Sequence, residues 1–323
     1  MKTIFNADRR HLGPALLFIA PNFLGFAVFT AGPVLWSLVV AFSNWSILKT
    51  EPFAWTGVAN FIELLGDSSF WLTLVNTGYL MLGIPFSIAG SLGLAILLHG
   101  KLRGVVFFRT LYYLPCFTAG VALMILWKAL LNPEFGPVNH VLEGAAATLG
   151  ADGWRAPTWL QSTANLLGLE VEHVGLGLRQ WGVGARDAII TMGLWTAIGG
   201  NNMLLYIAAL SNVPEELYEA ADIDGASGWQ KFRNVTWPQL APTTFFISVM
   251  SLIGGLQGGF ETARVMTEGG PAGTTKTLAY YIYEKAFTEF RIGYASAVSW
   301  VLFTLIFAIT LMQWRWGAKN NEE

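Results

Sequence analysis

One cysteine stands among 323 residues, Cys116, and it sits inside an apolar run, so the chain cannot close an internal disulfide. Histidine is nearly as scarce. His11, His99, His140 and His173 are scattered, no Cys/His pair has metal-site spacing, and a metal or proton-relay cluster is not expected. There is no excess of positive charge: the formal net charge is −2, which gives no basic footprint for nucleic acid. No G-x-x-x-x-G-K-[ST] run occurs, so the chain has no P-loop with which to cradle ATP. Charge of either sign is thin. Charged residues make up 12% of the chain, about half the usual share of roughly 25%.

What takes their place is apolar sequence, 54% of all residues. Six stretches carry no Asp, Glu, Lys or Arg: 12–48, 68–100, 110–127, 188–214, 234–260 and 292–314. A soluble core has no use for six such runs, whereas a bilayer requires about 20 mostly apolar residues per spanning helix. The chain therefore reads as an all-α membrane protein with six transmembrane helices, since lipid-exposed backbone must satisfy its own hydrogen bonds. The expected spans are 14–42, 73–98, 108–131, 188–210, 243–260 and 292–314. Residues 1–13 form an N-terminal segment, 14–316 the transmembrane domain and 317–323 a tail. Lys2, Arg9 and Arg10 before the first run resemble a signal peptide, but the run exceeds the usual core of about 7–15 residues and no convincing cleavage site follows. A retained first span is expected, with kinks at Pro21 and Pro33. The fifth span ends in Gly254, Gly255, Gly258 and Gly259, which points to close helix contact or a break.

An even number of spans puts both termini on one side. That side carries Lys2, Arg9, Arg10, Lys101, Arg103, Arg109, Lys231, Arg233, Arg315 and Lys319 on short segments. The other carries Lys49, Arg155, Arg179, Arg186, Arg264, Lys276, Lys285 and Arg291 on longer ones. The positive-inside rule makes both termini cytoplasmic in a multi-pass cell (inner) membrane protein. Trp36, Trp45, Trp55, Trp71, Trp314 and Trp316 lie near span ends, as an interfacial belt would. Segment 132–187 becomes a long outer loop with two weak helical patches. Residues 211–242 become a cytoplasmic loop.

That cytoplasmic loop reads SNVPEELYEAADIDGASGWQKFRNVTWPQLAP. Pro214 suits the first turn of a helix, and Glu215 and Glu216 follow where the helix dipole favours anions. Leu217, Ala220 and Ala221 make one narrow apolar stripe whose centre is small enough for another surface to come close. Gly225 stops this helix, Ser227 can cap a second through Trp229, Phe232 and Val235, and Pro238 and Pro242 are expected to end it before span five. From pattern alone the pair is either a hairpin packed on its own bundle or a docking knob for a soluble partner.

Glu219-Ala220-Ala221, three residues, Gly225, nine residues and Val235-x-Trp237-Pro238 resemble the EAA loop of the permeases of binding-protein-dependent ABC importers. Val235 and Trp237 replace the family's Ile and Leu, and both stay apolar. The resemblance to the carbohydrate-uptake branch continues in Phe108-Arg109-Thr110-Leu111 with Leu114-Pro115, in Asp222-Ile223-Asp224-Gly225-Ala226, in Met266-Thr267-x-Gly269-Gly270-Pro271 and in Gly293-Tyr294-Ala295-Ser296-Ala297. It covers about 12–131 and 188–316. Segment 132–187 matches less well and carries an insertion after Trp159-Leu160. The resemblance implies a MetI-like importer-permease bundle with a cytoplasmic two-helix coupling loop. It also implies that Glu219, Ala220, Ala221, Asp224, Gly225, Ala226 and Pro238 serve coupling to separate ABC ATPase subunits. Those partners would hold ATP and Mg, with no cofactor in this chain. The other implied partners are a second permease, expected to be a different chain, an extracytoplasmic solute-binding protein and membrane lipid.

Polar groups inside spans are costly unless they face protein or water, which makes Asn76, Asn201, Asn202 and Gln257 candidates for a solute path. Trp195 and Tyr206 offer aromatic faces for sugar rings, and Glu261 could line the outer mouth. For the Asn and Gln side chains the alternative is an interhelical hydrogen bond worth about 1 kcal/mol. Lys128, near a span end, is expected to snorkel to the interface. A self-sufficient secondary transporter is the alternative function, but such proteins usually carry intramembrane acids for coupling ions and the charge-free runs hold none. A membrane-embedded enzyme would need a nucleophile, base or metal cluster, and no such cluster is evident.

Overall fold

The computed structural model describes residues 9–48, 52–100, 103–118, 120–151, 153–169 and 181–319. Lys2, Lys49, Lys101 and Arg179, counted above for orientation, lie outside them, as do residues 170–180 of the outer segment. Among the described residues five helical segments are long and apolar enough to cross a membrane, or six where a bent pair is taken as one span. The chain divides into two compact units, residues 1–67 with 282–303, and residues 68–281 with 304–323.

In the first unit, α1 (Arg9–Phe26) runs through a π turn (Ala27–Ala31) into α2 (Gly32–Ala41). The kink expected at Pro33 is resolved by this turn. Gly32 N–H bonds five residues back to Ala27 O, and proline follows at once. A widened turn leaves room for a ring that would otherwise meet the carbonyl four residues earlier. Only 6% of the window within Leu17–Ala41 is buried, so this span leaves nearly all its apolar surface for lipid or another chain. Beyond α2, Asn60 on α3 (Ala59–Gly66) donates its amide to Ala41 O (2.8 Å) and Ser43 O (2.9 Å), which satisfies carbonyls at the helix end. The same unit holds the start of the last span. Arg291 pairs with Glu63 at 2.6 Å, and Tyr294 donates to Asp67 at 3.0 Å. Burial alone would lower the Arg291 pKa, but the hydrogen bond and charge of Glu63 outweigh it and the pKa is raised.

The second unit is a bundle. Span two is α4 (Ser68–Leu80) and α5 (Gly83–His99), joined at the turn Met81-Leu82, and it begins five residues earlier than expected. Span three is corrected more strongly: α6 (Val105–Phe117) and α7 (Gly120–Leu130) meet at 97°. Pro115 removes a donor from the last turn of α6, and Thr118 turns extended. The outer segment contributes α8 (Pro137–Thr148) and a short turn at Trp159–Gln161, whose indole donates to Asn139 Oδ1 at 2.5 Å. Span four, α9 (Ala185–Ile198) and α10 (Asn201–Ser211), breaks at Gly199-Gly200. It begins before the expected 188, so Arg186 and Asp187 are buried span residues and not surface charges of the outer loop.

The loop at 211–242 yields α11 (Glu215–Ile223) and α12 (Gly228–Lys231), then a π turn (Phe232–Thr236) and α13 (Trp237–Gln257). Pro238 and Pro242 do not end the second loop helix. From Gly228 to Gln257 the chain is one 30-residue helix. The physical device is the one used at Pro33: Trp237 N–H bonds five back to Phe232 O, and Pro238 follows. After a break at Gly258-Gly259 come α14 (Phe260–Thr262), another π turn and the loop to α15 (Leu278–Tyr283). The last span, α16 (Ile292–Lys319), runs beyond the expected 314. The core lies where α5 packs on α9 and α10, with Leu92, Ala95, Leu98, Met203, Tyr206, Ile207, Leu240 and Ile247 buried together. A Cβ on Gly199 would sit 2.1 Å from Tyr112 O, so α6 approaches span four to a distance only glycine permits.

Candidate functional site

The loop at 214–238 is organised by local chemistry. Pro214 is the N-cap of α11, one position earlier than its sequence reading, and Glu215 and Glu216 occupy the first turn beside the positive end of the helix dipole. At the other end Ala226 N–H bonds to Ala221 O (2.9 Å) and Gly225 N–H to Asp222 O (3.0 Å). This is a Schellman closure, and it requires a left-handed residue at its centre. Gly225 supplies it with φ +72 and has open space where a Cβ would be. Ser227 then caps α12, its hydroxyl accepting from Gln230 N–H while the Gln230 side chain accepts from Ser227 N–H (2.7 Å).

Two side-chain ties hold the first helix against the second. Lys231 pairs with Asp222, and the hydroxyls of Tyr218 and Thr236 meet at 2.9 Å. Between them Leu217, Ala220, Ala221, Asp224, Gly225 and Ala226 line one face of a concavity of about 430 Å³, with Lys231 and Val235 on the other. Five of the seven predicted coupling residues thus share one surface. Glu219 is exposed on α11 outside that lining, and Pro238 lies on the helix that leads into span five. Phe232 stacks on Trp229 (5.3 Å between ring centres) and packs against the Leu92–Met203–Leu240 core. The loop is thus joined to the spans by packed aromatic side chains and a continuous helix. Arg109 donates to Leu98 O (2.7 Å), placing a cation at the carbonyl end of α5.

Sequence reasoning missed Asp222, Tyr218, Lys231 and Thr236 as ties. Their signal was available: opposite charges nine residues apart across a glycine turn, and two hydroxyls eighteen apart. It counted Arg186 only as a charge of the outer side and did not single out Asp187. Arg186 Nε donates to Thr274 O (2.8 Å) and Nη2 to Asn76 Oδ1 (2.6 Å), while Asp187 accepts from the Tyr79 hydroxyl (2.6 Å). Adjacent opposite charges at the edge of a charge-free run were the clue.

The predicted solute-path residues fare unevenly. Asn76 is fully buried, its Nδ2 donating to Gly273 O (2.7 Å) and Lys276 O (3.1 Å). Tyr206 is fully buried in the core and donates to Thr244 Oγ1 (3.1 Å). Both are interhelical ties whose polar atoms are committed to protein, which corrects their reading as solute contacts. Trp195 is half exposed and meets Trp127 edge-on at 5.8 Å. Asn201 accepts from the Tyr113 hydroxyl (2.9 Å), Asn202 is half buried, and Gln257 and Glu261 are exposed around the Gly258-Gly259 break. A cavity of about 230 Å³ opens between spans two, four and five, lined by Thr77, Ser87, Gly193, Gly255 and Thr262, and none of the seven candidates lines it.

With the loop and bundle described, comparison with known proteins decides their kind. Residues 14–314 match the family described as binding-protein-dependent transport system inner membrane component. The chain belongs to this family. The permease is 32% identical over 300 residues to the probable ABC transporter permease protein YesP of Bacillus subtilis (strain 168), covering 91% of this chain and 87% of the relative. It is 33% identical over 303 residues to the lactose transport system permease protein LacF of Rhizobium radiobacter, covering 92% and 91%. Among solved structures, a chain of a bacterial ABC transporter involved in the import of the acidic polysaccharide alginate matches at TM-score 0.76 and 21% identity, covering 96% of each chain. That likeness establishes the fold, a MetI-like permease bundle. The family is a transport component, and the permease is a multi-pass membrane protein.

Proposed function

We propose that this permease forms half of the translocation pathway of an ATP-driven importer for a carbohydrate or related polyol. The knob at 214–238 receives the movement of a separate ATPase subunit, which binds ATP and Mg. Closure of the ATPase pushes on the Ala220–Gly225 surface. The Asp222–Lys231 and Tyr218–Thr236 ties pass the load to the helix that becomes span five, and the outer and inner mouths open in turn. A second permease, expected to be a different chain, completes the cavity, and an extracytoplasmic binding protein delivers the solute. Both termini are cytoplasmic, in the cell (inner) membrane. Carbohydrate is the favoured class because a relative 33% identical along nearly its whole length is named for lactose transport. Of the path candidates, Trp195, Asn201, Asn202, Gln257 and Glu261 are kept for solute contact.

The observation that carries the reading is the knob itself: two charged helices closed by Gly225 and Ser227 and continuous with a span. A bundle that only had to sit in lipid would not need it. The test is a tagged purification in mild detergent from the native host, with mass spectrometry and an ATPase assay. Recovery of a P-loop ATPase, a second six-span chain and a solute-binding protein is expected. Recovery of the chain alone, with no ATPase activity, would overturn the proposal.

A further inference from the structure

A second concavity, of about 210 Å³, lies at the far end of α7, where residues 158–161 of the outer segment meet the turn that follows Thr267. Its polar lining includes Lys128, Thr158, Gln161 and Glu268, and its apolar lining includes Leu160 and Met266. Asn132 and Thr267 also line it, with side chains already bonded within the chain, whereas the other four polar side chains come from three different parts of the chain. Among the described residues none of them makes a hydrogen bond or ion pair, although an ammonium and a carboxylate line the same small space. Lys128 is therefore a lining group of a pocket, in addition to any interfacial role.

The lining is held from behind. Met266 is buried with Met124, Ile189 and Met192, and Leu160 packs on that cluster. Glu268 itself has a left-handed backbone (φ +53), unusual for a side chain other than Gly, Asn or Asp. The neighbouring bonds fix it there: Gly269 N–H to Ala263 O (3.0 Å), Gly270 N–H to Thr267 O (2.9 Å) and the Thr267–Thr275 hydroxyl pair (2.6 Å). The carboxylate is thus presented by a braced turn.

The volume lies below the range of about 300–1,000 Å³ typical for drug-sized ligands, and suits one small ring. The chemistry narrows it further. A carboxylate accepts hydrogen bonds from vicinal hydroxyls, an ammonium donates to ring or hydroxyl oxygens, and amide and hydroxyl side chains do both. Leu160 and Met266 offer a surface for C–H faces. With one cation and one anion the lining has no net charge, so an acidic sugar would gain from Lys128 only what it loses to Glu268. We propose that this pocket is an outer docking subsite for a single uncharged glycosyl unit, occupied between release from the external binding protein and passage into the spans. This rests on the importer reading for its place in transport, but not for binding itself.

The test measures binding of methyl glucoside, methyl galactoside and methyl mannoside, with sodium galacturonate as the acidic comparator. Saturation-transfer NMR is done on the full chain in nanodiscs, wild type and the variants Lys128→Gln and Glu268→Gln. Both positions are exposed, so folding is kept, and elution volume confirms it. At least one neutral glycoside is expected to bind, at least tenfold more tightly than galacturonate, with at least a tenfold loss in each variant. No binding of any neutral glycoside, binding unchanged in both variants, or equal binding of galacturonate would each overturn the subsite. The importer reading fails separately, through absence of an ATPase from the purified assembly, and the two failures cannot be confused.

Discussion

Arg186 Nη2 donates to Asn76 Oδ1 at 2.6 Å, with both side chains buried between spans two and four. Through Thr274 O on one side and Gly273 O and Lys276 O on the other, the pair holds the carbonyls of the loop after span five. A buried cation with committed acceptors is hard to replace, because removing one partner strands the others.

Arg186→Met should therefore cost about 3 kcal/mol of stability or more. Asn76→Leu should be similarly harmful, since it frees Nη2 and two loop carbonyls together. Because both act on one network, the double variant should lose less than the sum of the singles. The midpoint of heat-induced aggregation of purified protein, read by size exclusion, checks this. Additive losses would show that the two side chains do not act together.

Gly225 sits at φ +72 with open space around it, so the penalty of substitution there is conformational and not steric. Gly225→Asn should retain most ATP-driven uptake, because Asn tolerates the left-handed region. Gly225→Pro should abolish uptake while leaving membrane insertion intact, since proline neither reaches this φ nor donates to Asp222 O. Uptake of the carried sugar in whole cells, normalised to membrane-inserted protein, separates the two.

The Asp222–Lys231 tie is solvent-accessible, and an exposed ion pair contributes about 0–1 kcal/mol to stability. The role proposed for it in transmission predicts a larger effect on coupling than on folding. Asp222→Lys should lower uptake per ATP hydrolysed by several-fold with little change in melting, and Asp222→Lys with Lys231→Asp should restore much of it. The ratio of uptake to hydrolysis in proteoliposomes is the quantity to measure.

Gly199 and Gly193 lie six residues apart in the same span and should respond differently to alanine. A Cβ at Gly199 would lie 2.1 Å from Tyr112 O, a backbone atom that cannot yield without moving α6, whereas Gly193 has nothing within 4 Å. Gly199→Ala should reduce the yield of folded protein several-fold, and Gly193→Ala should leave it unchanged or slightly raised, given the better helix propensity of alanine. Yield in detergent, by fluorescence-detected gel filtration, decides it.

The two-helix loop at 214–238 was legible in the sequence because its determinants are local. A glycine turn, a serine cap and two first-turn acids act within a few residues, and the structure places each within one position of its reading. The spans were legible from charge-free runs for the same reason, that bilayer solvation acts residue by residue. The bend at Thr118, the continuation through Pro238 and Pro242 and the burial of Arg186 were not. Each depends on what packs alongside: a proline breaks or passes according to the turn before it, and a charge counts as loop or core according to the carbonyls it meets. Asn76 was picked out as a costly polar group and Tyr206 as an aromatic face, and both turn out to be buried ties. Whether such a group faces solute or a neighbouring helix is a tertiary fact.

The π turn at Phe232–Thr236 carries a consequence for the knob and span five. A π turn holds one residue more than regular helix requires, and one residue is about 100° of rotation. The angular phase between the α11–α12 pair and the faces of α13 is therefore set by a single inserted position. Deleting one residue there would leave every cap and every apolar stripe in place while turning span five about its axis relative to the knob. The rotational setting of span five against this loop is written in the count of residues between Lys231 and Pro238, while Phe232 and Thr236 hold it by their contacts.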